Sequence, residues 1–225
     1  MIYLINKMKE ILKLLILVSC IVSCASLTKI APGYIAAFES IKVIYTGYED
    51  TISKDTIEQI PYASALLKIG KGPKGLIILE SKVNDTETWV SADNVFFNLK
   101  NGKIIATAGL PNNLVEISEI SNSNWNEIDL NNDANVYSYY SYDYPVLNNL
   151  RLKVIKKKVG EQKVDLLMGE KTLILYEEEV SNEYLGWNFK NQYWVDKSGF
   201  IWKSKQYLST KLPIIEIEVT KKPAL

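Results

Sequence analysis

The sequence predicts a mainly β protein: an antiparallel β-meander curled into a partly open barrel-like sheet, with a short N-terminal helix and a few small helices. Three observations carry that expectation. Beyond residue 60 the apolar residues fall in short runs separated by turns rich in Gly, Asn and Asp, which is how strands and hairpins are punctuated. Asn101-Gly102 sits between two such runs, and both central positions of a two-residue hairpin turn need positive φ, which Asn and Gly tolerate best. Near the C-terminus Ile215, Ile217 and Val219 alternate with Glu216, Glu218 and Thr220, the period-2 signature of a strand with one wet face. A long series of sequential hairpins must curl or close to manage its edges.

Residues 1–23 read as a signal peptide. Lys7, Lys9 and Lys13 precede the apolar run Leu14 to Ser23, which at about 10 residues falls short of the roughly 20 needed to span a bilayer. Both cysteines of the chain lie here, in Leu17-Val18-Ser19-Cys20 and Ile21-Val22-Ser23-Cys24, and each triplet-plus-cysteine resembles the bacterial lipobox. Cleavage before Cys20 would leave an apolar region of Leu14 to Ser19, below the usual minimum of about 7 residues. Cys24 is therefore the expected lipidation site, with Cys20 the alternative and an ordinary cleaved signal the plainer reading. Ala25 follows Cys24 in place of the aspartate that retains lipoproteins in the inner membrane, which predicts outer-membrane sorting. Two or more acyl chains hold a protein to a bilayer, where one does so weakly. Cleavage and acylation there leave no free cysteine pair for a disulfide or a cysteine metal site.

Residues 24–33 are expected to form a tether and 34–225 a single antiparallel β domain. Ile35, Phe38 and Ile41 recur at helical spacing behind Pro32, predicting an amphipathic helix. Asp55 and Glu58 form a capping-box pattern ahead of the stop at Pro61, predicting a second short helix. Strands are expected at 62–69, 76–80, 86–90, 94–99 and 103–107. Gly70-Lys71-Gly72-Pro73-Lys74-Gly75 matches the dinucleotide fingerprint, but a β-rich run follows where that motif needs a helix N-terminus, so a hairpin loop is expected. Leu114, Ile117 and Ile120, behind Asn113 and Glu116, predict a short capped helix. The Asn-rich stretch 121–135 reads as loop. Strands resume at 136–144, 150–158, 163–168, 172–178, 185–195, 200–208 and 214–220, with Asp196-Lys197-Ser198-Gly199 as a type I turn.

Composition narrows function. The chain has no histidine, which removes the commonest general base, metal ligand and triad partner. Arg151 is its sole arginine and the charges balance, 26 basic against 26 acidic residues, so no basic footprint for nucleic acid exists. No cofactor or metal site is predicted.

Several segments together resemble the YjbF/GfcB family, the group 4 capsule polysaccharide lipoproteins of Gram-negative bacteria. They are Ile60-Pro61-Tyr62-Ala63-Ser64, Trp89-Val90-Ser91-Ala92-Asp93, Asn101 to Leu110, Tyr193-Trp194-Val195-Asp196, Gly199 to Gln206 and Pro213-Ile214. The C-terminal block is the most specific; residues 111–184 match loosely. The family pattern often has glycine after Asp93 and arginine at 103, where this chain has Asn94 and Lys103. Asparagine still tolerates a left-handed turn, whereas an arginine-dependent contact would not carry over. The resemblance implies an antiparallel β fold, a lipid-anchored outer-membrane location facing the periplasm and a non-enzymatic role in exopolysaccharide or capsule production or export. It also implies an outer-membrane β-barrel protein as partner, and no catalytic residues. The alternatives are a membrane-tethered glycan-processing enzyme and a general envelope-structural lipoprotein.

Strand alternation places Tyr140, Tyr142 and Tyr144 on one face, a candidate platform for sugar rings; the commoner use of such a stripe is core cover. Trp89, Trp194 and Trp202 are candidates for glycan or partner contact, against hairpin-locking burial. Asp93 and Asp196, at turns after tryptophans, are expected to cap those turns. The run Glu177-Glu178-Glu179 is expected to be a solvated face, because adjacent strand residues do not converge across a cleft as glycosidase carboxylates must.

Overall fold

The computed structural model describes residues 52–119 and 136–223. Every described residue belongs to one compact unit, Tyr48–Leu225. The signal segment, Cys20, Cys24, the tether, the helix expected behind Pro32 and the stretch 121–135 lie outside the described residues.

A single-turn helix, α1 (Lys54–Glu58), comes first. Its N-cap is Ser53, whose hydroxyl accepts from the Thr56 amide at 3.2 Å. The expected capping box at Asp55 is thus displaced by two residues, because serine caps as well as aspartate does and Asp55 already lies in the first turn.

Twelve antiparallel strands follow: β1 (Ser64–Ile69), β2 (Lys74–Val83), β3 (Thr86–Ser91), β4 (Phe96–Lys100), β5 (Lys103–Ala108), β6 (Leu114–Glu119), β7 (Val136–Asp143), β8 (Val146–Val164), β9 (Lys171–Asn182), β10 (Trp187–Val195), β11 (Ile201–Gln206) and β12 (Ile215–Lys221). They form one sheet in the order β5-β4-β3-β2-β1-β12-β11-β10-β9-β8-β7-β6. All sequential neighbours pair except β5 and β6, and the ends of the meander are joined by β1 on β12, with Leu67 opposite Ile217 and Ile69 opposite Ile215. The two edge strands β5 and β6 lie side by side. Thr107 Oγ1 bridges that seam by accepting from the Leu114 amide at 3.0 Å, and within the connecting loop Asn113 Oδ1 accepts from the Leu110 amide at 2.9 Å. The result is the nearly closed, barrel-like sheet that the hairpin series predicts, with both edges shielded from further pairing.

The turns behave as their residues require. Asn101 and Gly102 take φ of 48° and 71° and join Lys100 to Lys103 across a two-residue turn. A Cβ on Gly102 would lie 2.7 Å from Ile201 Cδ1. The glycine-rich loop is a hairpin loop, with Lys68 opposite Lys74 and β2 following directly.

Two secondary-structure expectations fail at bulges. Residues 114–119 are a strand, not a helix. A register shift between Leu114 and Glu116 sets Leu114 opposite Tyr142 and Ile117 opposite Tyr140. Val115, the extra residue, is turned outward. One inserted residue converts a spacing of two into three, so inward-facing residues mimic a helical period. Likewise the strand expected at 150–158 and the first two residues of the one expected at 163–168 belong to the single strand β8, continuous through a shift at Lys158/Gly160 where Gly160 has φ 148°, whereas 165–168 lie in the β8–β9 connection and form no strand.

The main core lines the inner face, where Trp89, Phe97, Ile104, Leu114, Leu152 and Ile215 are essentially inaccessible. β12 alternates as expected, with Ile215, Ile217 and Val219 buried. A satellite cluster of Leu166, Leu173, Leu175 and Trp194 packs beside it with Trp202, beneath the β8–β9 connection. That connection is tied down by the Leu167 amide donating to Glu218 Oε1 at 2.6 Å.

Candidate functional site

The three consecutive glutamates of β9 part company because strand residues alternate between faces. Glu177 and Glu179 stay accessible, where Lys190 pairs with both, at 2.9 and 3.7 Å. Glu178 is fully buried, so the expectation of a solvated run fails for the middle residue. Register supplies two of its neighbours, since Glu178 lies opposite Asn191 of β10 and opposite Lys156 of β8. Asn191 Nδ2 donates to Glu178 Oε2 at 3.0 Å, the Tyr193 hydroxyl donates at 3.3 Å, and Lys156 Nζ stands 4.0 Å away. The fourth neighbour is Lys103, the first residue after the Asn101-Gly102 turn, whose Nζ reaches Glu178 Oε1 at 3.0 Å.

Gln206 completes the network. Its Oε1 accepts from the Ile104 amide at 2.9 Å, and its Nε2 donates to the Gly102 carbonyl and to Ser204 Oγ. Burial pushes the Glu178 carboxyl up, but Lys103, Lys156 and the Asn191 amide outweigh it and hold it below the ordinary glutamate range. A carboxylate held ionised and saturated with donors is a structural tie between the β4–β5 hairpin and β9–β11. It is not one of a pair of carboxyl groups pushed apart in pKa, as acid–base cleavage of a glycosidic bond would need.

A second cluster surrounds the β10–β11 turn. Asp196 Oδ1 accepts from the Ser198 amide at 2.9 Å and the Phe200 amide at 3.1 Å. Asp196 Oδ2 accepts from Trp202 Nε1 at 2.9 Å and Lys222 Nζ at 3.1 Å. Asp196 therefore caps its turn as the sequence implies. The corresponding turn after β3 is capped instead by Ser91, whose Oγ accepts from the Val95 amide at 3.1 Å, with Asn94 at φ 58°; Asp93 does not take that role. Burial raises the Asp196 carboxyl, but hydrogen bonds from Ser198, Trp202, Lys222 and Phe200 drive it well below the usual aspartate range. A depressed folded-state pKa stabilises the fold above the unfolded-state value of about 3.9 and is lost as pH falls through the folded value. Asp196→Ala is accordingly expected to cost about 2 kcal/mol at neutral pH, with the gap to the parent closing in strong acid; urea melts at pH 7 and pH 2.5 check both points.

The aromatic candidates do not converge. Tyr140 and Tyr142 share a face, as expected, but that face is the interior: both are buried, opposite Ile117 and Leu114. The Tyr142 hydroxyl donates to the Leu208 carbonyl, its ring meets Trp187 edge-on at 5.8 Å, and burial pushes its phenol up. A glycan on the surface cannot reach this pair, so core cover is the use the structure makes of them. Tyr144 leaves the stripe because β7 ends at Asp143, and it is 68% exposed. Trp89 is 2% exposed, lies opposite Phe97 and donates from Nε1 to Glu87 at 3.1 Å. Trp194 is buried and donates to Gln162 Oε1 at 3.1 Å. Trp202 is half-buried, edge-on to Phe200 at 5.3 Å, with Lys171 Nζ 4.1 Å and Lys222 Nζ 4.8 Å from its ring centre.

A groove of about 640 Å³ opens elsewhere, lined by Tyr137, Arg151, Lys153, Ser181 and the β9–β10 turn. Register explains it: Lys153 lies between Tyr137 of β7 and Ser181 of β9, and Arg151 lies beside Tyr139. The Arg151 guanidinium sits 3.7 Å from the centre of the Tyr137 ring. Sequence reasoning missed this site, although the single arginine of a lysine-rich chain was a signal, since guanidinium rather than ammonium is chosen where planar stacking or a fork of donors matters.

This architecture is that of an all-β protein built on a nearly closed antiparallel meander. It is similar to the crystal structure of the hypothetical lipoprotein YmcC from Escherichia coli (K12), with TM-score 0.66 and 20% identity over 77% of this chain and 91% of that one. The family model described as group 4 capsule polysaccharide lipoprotein gfcB, YjbF matches residues 37–220, and the chain belongs to that family. Two curated relatives from E. coli (strain K12) are similar at 24% identity. Uncharacterized lipoprotein YjbF matches over 164 residues, 70% of this chain and 74% of the relative. Uncharacterized lipoprotein GfcB matches over 185 residues, 79% and 83%. The chain is thus a membrane-anchored envelope lipoprotein of a capsule-related family.

Proposed function

We propose that the chain is anchored through acylated Cys24 in the outer membrane, faces the periplasm, and assists exopolysaccharide or capsule production or export by binding rather than catalysis, beside an outer-membrane β-barrel protein. The observation that carries this reading is the family match over residues 37–220, joined to the lipobox ahead of it. Ala25 in place of aspartate supports outer-membrane sorting, and the ion-paired state of Glu178 supports a non-catalytic interior.

The reading is tested by co-purifying tagged full-length protein with outer-membrane barrels and by measuring surface polysaccharide after deletion of the gene. Capture of a barrel and loss of surface polymer are expected. Unchanged polymer with a weakened envelope would instead make it a structural lipoprotein, and cleavage of the polymer by the purified protein would make it an enzyme. Metabolic fatty-acid labelling is expected to disappear in Cys24→Ser and to persist in Cys20→Ser; the reverse pattern would move the anchor to Cys20.

A further inference from the structure

We propose that the groove on the outward faces of β7, β8 and β9 binds a carboxylate-bearing segment of polysaccharide, a proposal that rests on the polysaccharide role above and gives it a site. Tyr184, at the tip of the β9–β10 turn, is 100% exposed, and Leu185 beside it is 45% exposed. An aromatic ring held wholly in water at the mouth of a groove has its face free for the C–H side of a sugar ring. The turn that carries it is fixed in place. Asn182 Oδ1 accepts from the Leu185 amide at 2.9 Å, while Asn182 Nδ2 donates to the Arg151 carbonyl at 2.9 Å. Asn182 thereby ties the strand bearing the arginine to the turn bearing the tyrosine.

Charge selects the class of sugar. Arg151 and Lys153 project into the groove against one lining acid, Glu183. Among the described residues no carboxylate pairs with either cation. Stacking on Tyr137 fixes the guanidinium plane and leaves its edge donors to meet a planar carboxylate. Exposed Asn148 and Asn149 add amide donors and acceptors, the mixed valence that hydroxyl groups require. Two cations interleaved with amides and tyrosines suit a uronate-bearing chain, whereas a nucleic-acid backbone calls for a broad basic patch.

The test is calorimetric titration of the full-length lipoprotein, in an uncharged detergent, with hexagalacturonate as the probe. Saturable binding is expected that weakens with added salt. Arg151→Gln is expected to weaken it about tenfold or more, the scale of one charged hydrogen-bonding partner, and Tyr184→Ala several-fold. Lys71→Gln, on the β1–β2 loop, leaves it unchanged. Both groove positions are exposed, so matching thermal midpoints establish that the variants fold. No saturable binding to the wild-type protein, equal binding by Arg151→Gln, or equal binding of neutral maltohexaose or of polyglutamate would each overturn the proposal. The two readings fail separately: binding without any effect of gene loss on surface polymer defeats the export role alone, and loss of polymer without binding defeats the groove alone.

Discussion

Glu178→Gln is expected to destabilise the protein by about 3–5 kcal/mol, the penalty for stranding a buried charge after its partner is removed. The substitution keeps the shape of the side chain but removes the carboxylate charge that lies 3.0 Å from buried Lys103 and 4.0 Å from Lys156. The double replacement, Lys103→Met with Glu178→Leu, is expected to recover part of the loss, because a buried ion pair exchanged for apolar groups of similar volume is close to neutral while Lys156 still loses its carboxylate neighbour at 4.0 Å. Urea titration of the parent, both single variants and the double variant gives the coupling directly. The pH dependence has a definite sign. The folded-state carboxyl is held below its ordinary value, so its contribution is fully present above the unfolded-state value of about 4.3 and is lost as pH falls through the folded one. The difference between Glu178→Gln and the parent therefore shrinks in acid. A single variant as stable as the parent at pH 7 would mean that the tie between the β4–β5 hairpin and β9–β11 carries no weight.

Trp89→Ala is expected to cost about 3–5 kcal/mol, as large-to-small changes in a close-packed core do. Trp89 is among the largest inaccessible side chains, and it spans the inner face of β3 opposite Phe97 of β4. The loss is expected in the denaturation midpoint, with capture of the proposed barrel partner, where it occurs, unchanged once the protein is kept below that midpoint. A variant that stays stable but fails to capture the proposed partner would restore Trp89 as a contact residue. Tyr184→Ala makes the contrast, since a fully exposed ring contributes little to folding.

What the sequence disclosed and what it hid follow from the range of the interactions involved. Asn101-Gly102, the alternation of Ile215 to Thr220 and the Asp196 turn are local, and each needs nothing beyond its own few residues to be recognised. From them came the antiparallel meander and its curl. The bulge at Val115 is local too, but it disguises itself: with one extra residue, Leu114 and Ile117 both point inward at a helical spacing. Gly160 hides the continuity of β8 in the same way.

The site lay deeper. Glu178 looks like its two neighbours in sequence, and only the arrival of Lys103, 75 residues away, shows why it is buried. Tyr140 and Tyr142 have the spacing of a platform, but alternation alone does not say which face of a curled sheet is the inside. The groove depends on three strands meeting in one register, with Tyr137 opposite Lys153 and Lys153 opposite Ser181. None of these pairings is encoded within a single segment.

The proposed lipid anchor and the proposed polysaccharide role meet in one quantity, the polymer displayed at the cell surface when the chromosomal gene is replaced by its Cys24→Ser variant. Display is expected to fall as far as in a strain lacking the gene, although the β domain is made and folded. Display at the wild-type level, with the variant protein found soluble in the periplasm, would contradict that expectation.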